Sequence, residues 1–409
     1  MGRIFLVFLS VFALSYGLHA EGGDNEHNED FDPGKTAFHH IADANVFSIG
    51  PWSIPLPCII YSPDQGFSVF SSGNFGIGHH GDGRKVIDGY VLNGGSVNRI
   101  RPGQDFPMGE VELISESALH DAEHDGHVIH LYKTKDDGHG HEVSYFSHNG
   151  KDYLLDSKST GDGGLFGGGI TSFYDFSLTK NVVSMLLVTI LMMWMFFSVA
   201  KAYKVRAGKA PKGLQGFIET MFVFIQDEVA KPFLGNKWER FLPFLMALFF
   251  FILGLNLFGQ IPFFGNANVT GNISVTVVLA LFTFFVVNLN GNKNYWGHLF
   301  AMPGVPKWVL IILTPVELVG VLIKPLTLTL RLFANITAGH MVMVIFVGLI
   351  FVFGKSGEYV GLSYGTAVGS VLLTMFMMAI ELLVAFIQAF VFTILTASYI
   401  GAAVEEEHH

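Results

Sequence analysis

Two long apolar stretches in the second half of the chain contain polar and ionisable side chains that could handle protons or ions. A charged side chain inside a bilayer is costly, so each one needs a partner or a path to water, and such residues are usually functional. The residues of this kind are Glu317, Lys324, Arg331, Asn335, His340, Glu381 and Gln388. They predict an ion or proton pathway through a membrane protein.

The spacing of these residues predicts which of them share a helix face. Glu317, Lys324 and Arg331 are seven residues apart, so they lie on one face if the helix continues through the intervening proline. Asn335, four residues after Arg331, belongs to that face as well. His340, nine residues after Arg331, points about 180° away at 100° per residue. We therefore expect Arg331 and His340 to contact different neighbours.

The last apolar stretch repeats the spacing of seven with Glu381 and Gln388, and Ala385 lies on the same face. A carboxylate and an amide aligned along small residues can line a narrow, hydrated path, and small residues also let two helices approach closely. A buried carboxylate without a partner takes up a proton, so Glu381 is a candidate proton-binding site.

The same residues also have purely structural interpretations. Arg331 could extend its side chain to the lipid headgroups, and His340 could be a hydrogen-bonded packing residue. Glu317 and Lys324 lie nearer a membrane face, where polar residues are common. These alternatives remain open on spacing alone.

The two stretches are too long to be simple membrane spans. Residues 308–353 and 364–404 would form helices of roughly 69 Å and 61 Å at about 1.5 Å per residue, against a hydrocarbon core of about 30 Å. Such helices must be broken or steeply tilted. Pro325 removes a backbone donor and restricts Lys324 before it, so we expect the break or kink there.

Three other apolar segments complete the membrane region. Residues 181–200 have the length that a bilayer requires, and residues 241–264 and 275–289 indicate a transmembrane hairpin with its turn outside. Residues 214–233 contain six polar or charged side chains, which favours an interfacial helix.

The first part of the chain differs in character. Residues 1–20 are typical of a secretory signal peptide, with retention as a membrane anchor as the alternative. Residues 21–175 contain 24 acidic against 9 basic side chains and short runs of Val, Ile, Tyr and Phe between turn residues, which predicts an exported, β-rich domain with flexible ends. Cys58 is the only cysteine, so this domain has no intrachain disulfide.

The charges around residues 181–200 predict their orientation. The following loop has five basic and no acidic side chains, namely Lys201, Lys204, Arg206, Lys209 and Lys212. By the positive-inside rule this loop is cytoplasmic. An exported domain before the helix and a basic loop after it agree, so we expect this helix to run from the periplasm to the cytoplasm.

Histidines are concentrated in the acidic domain, which holds 12 of the 17. Closely spaced His with Asp and Glu can bind zinc or copper. The weak metal candidates are His79, His80, His120, His124, His127 and His130. Without thiolates or a fixed motif spacing, a solvated acidic surface is the favoured interpretation.

The segments "KPLTLTLRLFANITAGH" and "ELLVAFIQAFVFTILTASYI" resemble the carboxyl-terminal signature of subunit a of F-type ATP synthases. The resemblance covers roughly residues 180–409. A further segment, "FHHIADANVFSIGPWSIPLP", resembles the amino-terminal part of subunit a in Bacteroidetes-type bacteria, where long exported extensions occur.

The resemblance implies a stator subunit that faces a rotating ring of c subunits and forms two offset half-channels. It implies that Arg331 faces the ring carboxylates and separates the channels, and arginine suits this role because it stays charged and offers several donors. It assigns Asn335, His340, Glu381 and Gln388 to the outer half-channel and Glu317 to the inner one, with Lys324 in support. Some bacterial relatives place the acid and the histidine in the reverse order, so we expect His340 and Glu381 to be facing partners.

The sequence therefore predicts an all-α polytopic membrane domain of about five membrane helices, the last two long and tilted, preceded by a small β-rich exported domain. The expected parts are a signal peptide (1–20), a His-rich periplasmic extension (21–175) and the membrane domain (176–409). The expected partners are the c-ring, the b subunits of the peripheral stalk, the rest of the complex and the bilayer of the inner membrane, with the carboxyl terminus in the cytoplasm.

We expect no cofactor, no nucleic acid and no catalysis by this chain alone, since it has no phosphate-binding Gly-rich loop. The alternatives are a metal-ion transporter with a His-rich collector domain and a tethered secreted binding module.

Overall fold

The computed structural model describes residues 42–49, 52–77, 81–115, 131–136, 142–157, 172–261, 268–300, 306–354 and 360–404. The chain divides into two compact units. The first consists of Met1–Val183, Ile261–Ala267 and Met343–Thr374, and the second of Ser184–Gln260, Asn268–Val342 and Met375–His409.

The amino-terminal region is β-rich, as the sequence predicts. Its strands are β1 (Val46–Ile49), β2 (Trp52–Pro55), β3 (Pro57–Ser62), β4 (Gly66–Ser71), β5 (Lys85–Ile87), β6 (Tyr90–Asn93), β7 (Ser96–Ile100), β8 (Glu110–Glu112), β9 (Tyr132–Asp136), β10 (Glu142–His148), β11 (Lys151–Asp156) and β12 (Tyr174–Asp175). They form an antiparallel pair β1-β2, a seven-stranded sheet in the order β8-β5-β6-β7-β11-β10-β9, and a three-stranded sheet in the order β12-β3-β4.

Two apolar clusters hold these strands together. One contains Cys58, Ile60, Phe75, Tyr90 and Phe173, all fully buried. The other is built around Phe146 and Tyr153 of the seven-stranded sheet. The region is therefore stabilised by apolar packing, and its single cysteine is buried within it.

The rest of the described chain is helical. Its α-helices are α1 (Lys180–Val205), α2 (Leu214–Ile225), α3 (Lys231–Leu234), α4 (Trp238–Gly259), α5 (Ile273–Leu289), α6 (Lys293–Phe300), α7 (Lys307–Gly354) and α8 (Val360–Val404). A π-helical turn, Gln226–Ala230, joins α2 to α3. Within the described residues, four helical segments are long and apolar enough to cross a membrane, or five if the bent pair α5 and α6 forms one span.

The second unit has one large apolar core. Leu245, Phe249 and Ile252 of α4 pack in it with Leu328 and Leu332 of α7 and with small residues of α8, namely Ala389, Ala397 and Ala403. These three alanines are fully buried. Small side chains allow helix backbones to pack closely, which is the usual basis of helix association in membranes.

The end of α8 is held by hydrogen bonds from outside the helix. The backbone N–H of Asn292 donates to the Ala403 carbonyl (2.9 Å), and the Asn292 side chain donates to the Val404 carbonyl (2.8 Å). Lys237 Nζ also donates to the Val404 carbonyl, at 3.0 Å. These bonds satisfy carbonyls that have no partner inside the helix.

The expected break at Pro325 is wrong. Helix α7 continues through both Pro315 and Pro325 for 48 residues. Membrane helices tolerate proline more readily than soluble helices, and near Pro325 the hydroxyl groups of Thr327 and Thr329 add hydrogen bonds to the carbonyls of Ile323 and Pro325, at 2.9 Å each. Helix α6 was not predicted from the sequence. The chain bends by 104° between α5 and α6.

Candidate proton-pathway site

Helix α7 presents two different faces over its central turns. Leu328, Leu332 and Ile336 are buried in the core of the second unit. Arg331 and Asn335, one turn apart, are exposed on another face. No ion pair or hydrogen bond joins the Arg331 side chain to any residue in the described part of the chain. A guanidinium on an apolar helix needs a counter-ion or a path to water.

His340 and Glu381 face each other from α7 and α8. The His340 Nε2 and Glu381 Oε1 atoms are 3.6 Å apart, and both side chains are buried, at 7% and 4% exposure. The two residues are therefore facing partners, as expected from the sequence. His340 points into the protein while Arg331 points out of it, which confirms that they contact different neighbours.

Gly339 makes room for the Glu381 carboxylate. A Cβ atom at residue 339 would lie 3.0 Å from Glu381 Oε1 and 3.3 Å from its carboxyl carbon. Neither carboxylate oxygen has a hydrogen-bond partner among the described residues. A buried, unpaired carboxyl group accepts a proton readily, so this arrangement suits transient proton binding. Sequence reasoning missed Gly339, although its place directly before His340 was a usable signal.

Two side-chain amides, Asn256 of α4 and Gln260 directly after it, hold the Glu381 segment of α8 in register. The Asn256 side chain donates to the Ala385 carbonyl at 3.1 Å, and the Gln260 side chain donates to the Glu381 carbonyl at 2.9 Å. The two donors, Asn256 and Gln260, are four residues apart, and so are the two acceptors, Glu381 and Ala385. The two hydrogen bonds therefore lie one helical turn apart. The Asn256 Oδ1 atom accepts a hydrogen bond from Thr270 Oγ1 at 2.8 Å. Sequence reasoning missed Asn256 and Gln260, whose signal was their polarity within an apolar run.

Gln388 lies on the same buried face of α8 as Glu381, as the spacing of seven predicts, with Ala385 fully buried between them. The structure therefore brings His340 and Glu381 together, whereas Gln388 lies about 10 Å further along the same face of α8 at about 1.5 Å per residue. Arg331 and Asn335 lie apart from this cluster on the exposed face of α7.

Glu317 and Lys324 lie nearer the amino-terminal end of α7 and are half-buried. Lys324 Nζ lies 5.2 Å from the centre of the Tyr399 ring, a cation–π contact. Lys324 also lines a cleft with Asn288, Tyr295, Val321 and Tyr399. Glu317 forms no ion pair with the residues that are described. The structure thus separates this cleft from the buried His340–Glu381 pair along one helix.

The weak metal candidates of the amino-terminal region, His79, His80, His120, His124, His127 and His130, lie outside the described residues. Within the described residues, no group of three or more His, Cys, Asp or Glu side chains has a metal-binding arrangement.

Comparisons with known proteins identify two regions of the chain. The family model described as "ATP synthase A chain" matches residues 182–401, and a model described as a domain of unknown function matches residues 36–160. "ATP synthase subunit a" of Chloroherpeton thalassium is 42% identical over 242 residues, which is 58% of this chain and 69% of the relative. "ATP synthase subunit a 2" of Prosthecochloris aestuarii is 40% identical over 243 residues, which is 58% of this chain and 71% of the relative. These matches do not favour a metal-ion transporter.

Proposed function

The chain belongs to the ATP synthase A chain family, and on that premise we propose that it is the proton-translocating stator subunit of a rotary F-type ATP synthase. Its role is to conduct protons to and from carboxylates on a ring of c subunits. The chain has no nucleotide chemistry of its own and acts as a channel component of the complex.

One observation carries this proposal: Arg331 is an exposed, permanent cation in the middle of an apolar helix, and none of the residues that the structure describes gives it a counter-ion. A ring carboxylate that passes this face supplies the missing charge. Arginine cannot be deprotonated in proteins and offers a fork of donors, so it can attract a carboxylate and displace its proton without carrying the proton itself. Asn335, one turn away on the same face, offers polar atoms to the same partner.

The outer half-channel consists of the buried face between α7 and α8. His340 and Glu381 exchange a proton across their 3.6 Å separation, since both side chains bind protons reversibly. Gln388 continues the polar path along α8, and Asn335 leads it towards the ring-facing surface. Asn256 and Gln260 position the helix that carries Glu381.

The inner half-channel begins at the other end of α7. Glu317 is its proton-carrying group, and Lys324 lies in a cleft next to Tyr399. Arg331 lies between this end and His340 in the sequence of α7. A fixed positive charge at that position repels a proton that would otherwise pass directly from one half-channel to the other.

The proposed topology follows from charge and length. Residues 1–20 are a signal peptide, residues 21–175 form a periplasmic extension, and residues 176–409 form the membrane domain in the bacterial inner membrane. The basic loop after α1 is cytoplasmic by the positive-inside rule, and the carboxyl terminus is cytoplasmic as well. The partners are the c-ring, the b subunits of the peripheral stalk and the remainder of the complex.

The proposal is tested by ATP-driven proton pumping in inverted membrane vesicles that contain the assembled complex. We expect Arg331→Ala to abolish pumping while the complex still assembles, because the ring carboxylates lose their counter-charge. Arg206→Ala, which removes an exposed arginine from the basic loop, is the matched control and should pump normally. Normal pumping by an assembled Arg331→Ala complex would overturn the proposed mechanism.

A further inference from the structure

The three-stranded sheet β12-β3-β4 has two contrasting faces. One face carries Cys58 and Ile60, which are fully buried in an apolar cluster. The other face points outward, yet its side chains are also apolar. Antiparallel sheets with one solvated face normally alternate apolar and polar residues, so this outward face departs from the usual pattern.

The strand register arranges the outward side chains in rows. Tyr61 of β3 pairs with both Tyr174 of β12 and Phe67 of β4. The Tyr61 ring centre lies 4.9 Å from that of Phe67 and 6.4 Å from that of Tyr174. These three side chains form one continuous aromatic row.

The next row continues the same face. Ile59 pairs with Val69, and the Phe176 N–H donates to the Ile59 carbonyl at 2.8 Å. Phe67, Val69 and Phe176 are 71%, 70% and 61% exposed. We call the six side chains of these two rows the aromatic face: Ile59, Tyr61, Phe67, Val69, Tyr174 and Phe176. A contiguous exposed apolar surface of this kind marks an interaction site.

The aromatic face leads directly into the first membrane helix. Beyond Phe176 the chain continues to the exposed Leu178, whose N–H donates to the Pro57 carbonyl, and α1 begins at Lys180. The amino terminus of α1 is also fixed to this region, because the N–H groups of Lys180 and Asn181 donate to Ala44 O (2.8 Å) and Asp43 Oδ1 (3.2 Å). Lys180 follows Leu178 by two residues, and two residues of extended chain span at most about 7 Å. This distance is similar to the thickness of the headgroup region on each side of a bilayer, roughly 5–8 Å.

From this continuity we propose that the aromatic face rests on the lipid bilayer, in the interfacial region around the outer end of α1. Tyrosine and other aromatic side chains favour that depth, where an apolar ring and a polar edge are both accommodated. Residues 21–175 carry 24 acidic against 9 basic side chains, so attraction to anionic headgroups cannot hold the domain there and the contact is apolar. The proposal requires only that α1 crosses the bilayer, and it is independent of proton pumping.

The test uses site-directed fluorescence on the full chain in nanodiscs of zwitterionic phosphatidylcholine. Val69→Cys, labelled with an environment-sensitive dye, probes the aromatic face, and Lys151→Cys, labelled in the same way at the exposed first residue of β11, is the matched control. Both native side chains are exposed, so neither change disturbs the core. The unmodified chain reports background labelling, which should be low because Cys58 is fully buried.

We expect spin-labelled lipid to quench the dye at residue 69 several-fold more strongly than the dye at residue 151, with and without anionic lipid. Equal quenching at the two positions, with both dyes accessible to iodide in water, would overturn the proposal. A dye at residue 69 that is shielded from both iodide and lipid would also overturn it, because a protein surface would then cover the face. Phe176→Cys provides a second position, and the same pattern is expected there.

Discussion

The function of single residues in this protein depends on what surrounds them more than on their chemical type. Arg331 and His340 are nine residues apart on one helix, yet one is exposed and the other is buried against Glu381 at 3.6 Å. The first is suited to meet a partner's charge and the second to exchange a proton inside the fold. Gly339 contributes by its lack of a side chain.

Gly339→Ala is expected to lower proton pumping several-fold. The new Cβ atom would lie 3.0 Å from Glu381 Oε1, so the buried carboxylate must move by a few tenths of an ångström. Alanine stabilises a helix by up to about 1 kcal/mol relative to glycine, so assembly should not suffer. Pumping in inverted vesicles measures the effect.

The matched control is Gly320→Ala on the same helix, where an added Cβ meets nothing within 4 Å. We expect this variant to pump like the wild type. Equal pumping by the two variants would show that the fit of Glu381 against α7 is unimportant for proton transfer.

The β-rich amino-terminal region should become less stable at acidic pH through Asp64. The Arg99 guanidinium, whose side chain is only 5% exposed, forms a hydrogen bond to Asp64 and holds the pKa of that carboxyl below its ordinary value. A depressed folded-state pKa gives stability that is fully present above the unfolded value of about 3.9 and is lost as the pH falls through the folded value.

The measurement is hydrogen exchange of the amides of β7 in the full chain between neutral pH and pH 3, corrected for the intrinsic pH dependence of exchange. Asp64→Asn should lose protection at neutral pH and show a weaker pH dependence than the wild type. An unchanged pH dependence in this variant would show that the Arg99–Asp64 pair does not contribute.

At the scale of secondary-structure elements, hydrogen bonds fix the position of α8 both near Glu381 and at its carboxyl-terminal end. Asn256 of α4 and Gln260, which follows α4, donate hydrogen bonds to its carbonyls at Ala385 and Glu381. Asn292 and Lys237 bond its last carbonyls at Ala403 and Val404. A proton-carrying carboxylate must be held within a fraction of an ångström of its partner, and these bonds provide that precision for the helix that carries Glu381.

Gly401→Ala is expected to destabilise the membrane domain. An added Cβ would lie 2.2 Å from the backbone oxygen of Phe233 in α3, and a backbone carbonyl cannot move aside as a side chain can. Overpacking of this kind costs about 1–3 kcal/mol or more. Thermal unfolding in detergent should show a lower midpoint and a lower yield of folded protein.

Gly369→Ala, also on α8, is the control, since its Cβ would meet nothing within 4 Å. It should unfold at or slightly above the wild-type temperature because alanine favours helix formation. If both variants unfold at the same temperature, close packing at residue 401 does not stabilise α8.

At the scale of the whole molecule, the two regions that match known families do not overlap. The match to ATP synthase A chain covers residues 182–401, and the match to a domain of unknown function covers residues 36–160. All residues proposed for proton transfer lie between Glu317 and Gln388. The β-rich amino-terminal region therefore lies outside the part of the chain that contains the proposed proton-transfer residues.

Replacing residues 36–160 by a short Gly/Ser linker is expected to leave ATP-driven proton pumping largely intact in the assembled complex, because no proposed proton-transfer residue is removed. Arg331→Ala in the shortened chain should still abolish pumping, which controls for proton leak. An assembled complex that lacks the extension and cannot pump would show that the extension takes part in proton transfer.

The sequence alone determined the composition-driven features of this protein. Long apolar runs predicted α1, α4, α5, α7 and α8, because the length of an apolar segment determines whether it can span a membrane. Short β-branched and aromatic runs between turn residues predicted the β-rich domain. The spacing of seven placed Glu381 and Gln388 on one face, and the spacing of nine separated Arg331 from His340, since helix geometry is periodic.

Only the tertiary structure decided the features that depend on contacts distant in sequence. Periodicity cannot show that the carboxylate of Glu381 packs against Gly339, or that Asn256 and Gln260 bond carbonyls more than 120 residues away. The local rule for proline predicted a break at Pro325, but α7 continues through it with the Thr327 and Thr329 hydroxyls bonding nearby carbonyls. Local sequence sets which faces are apolar or polar, whereas packing between helices sets which of those faces meet and at what distance.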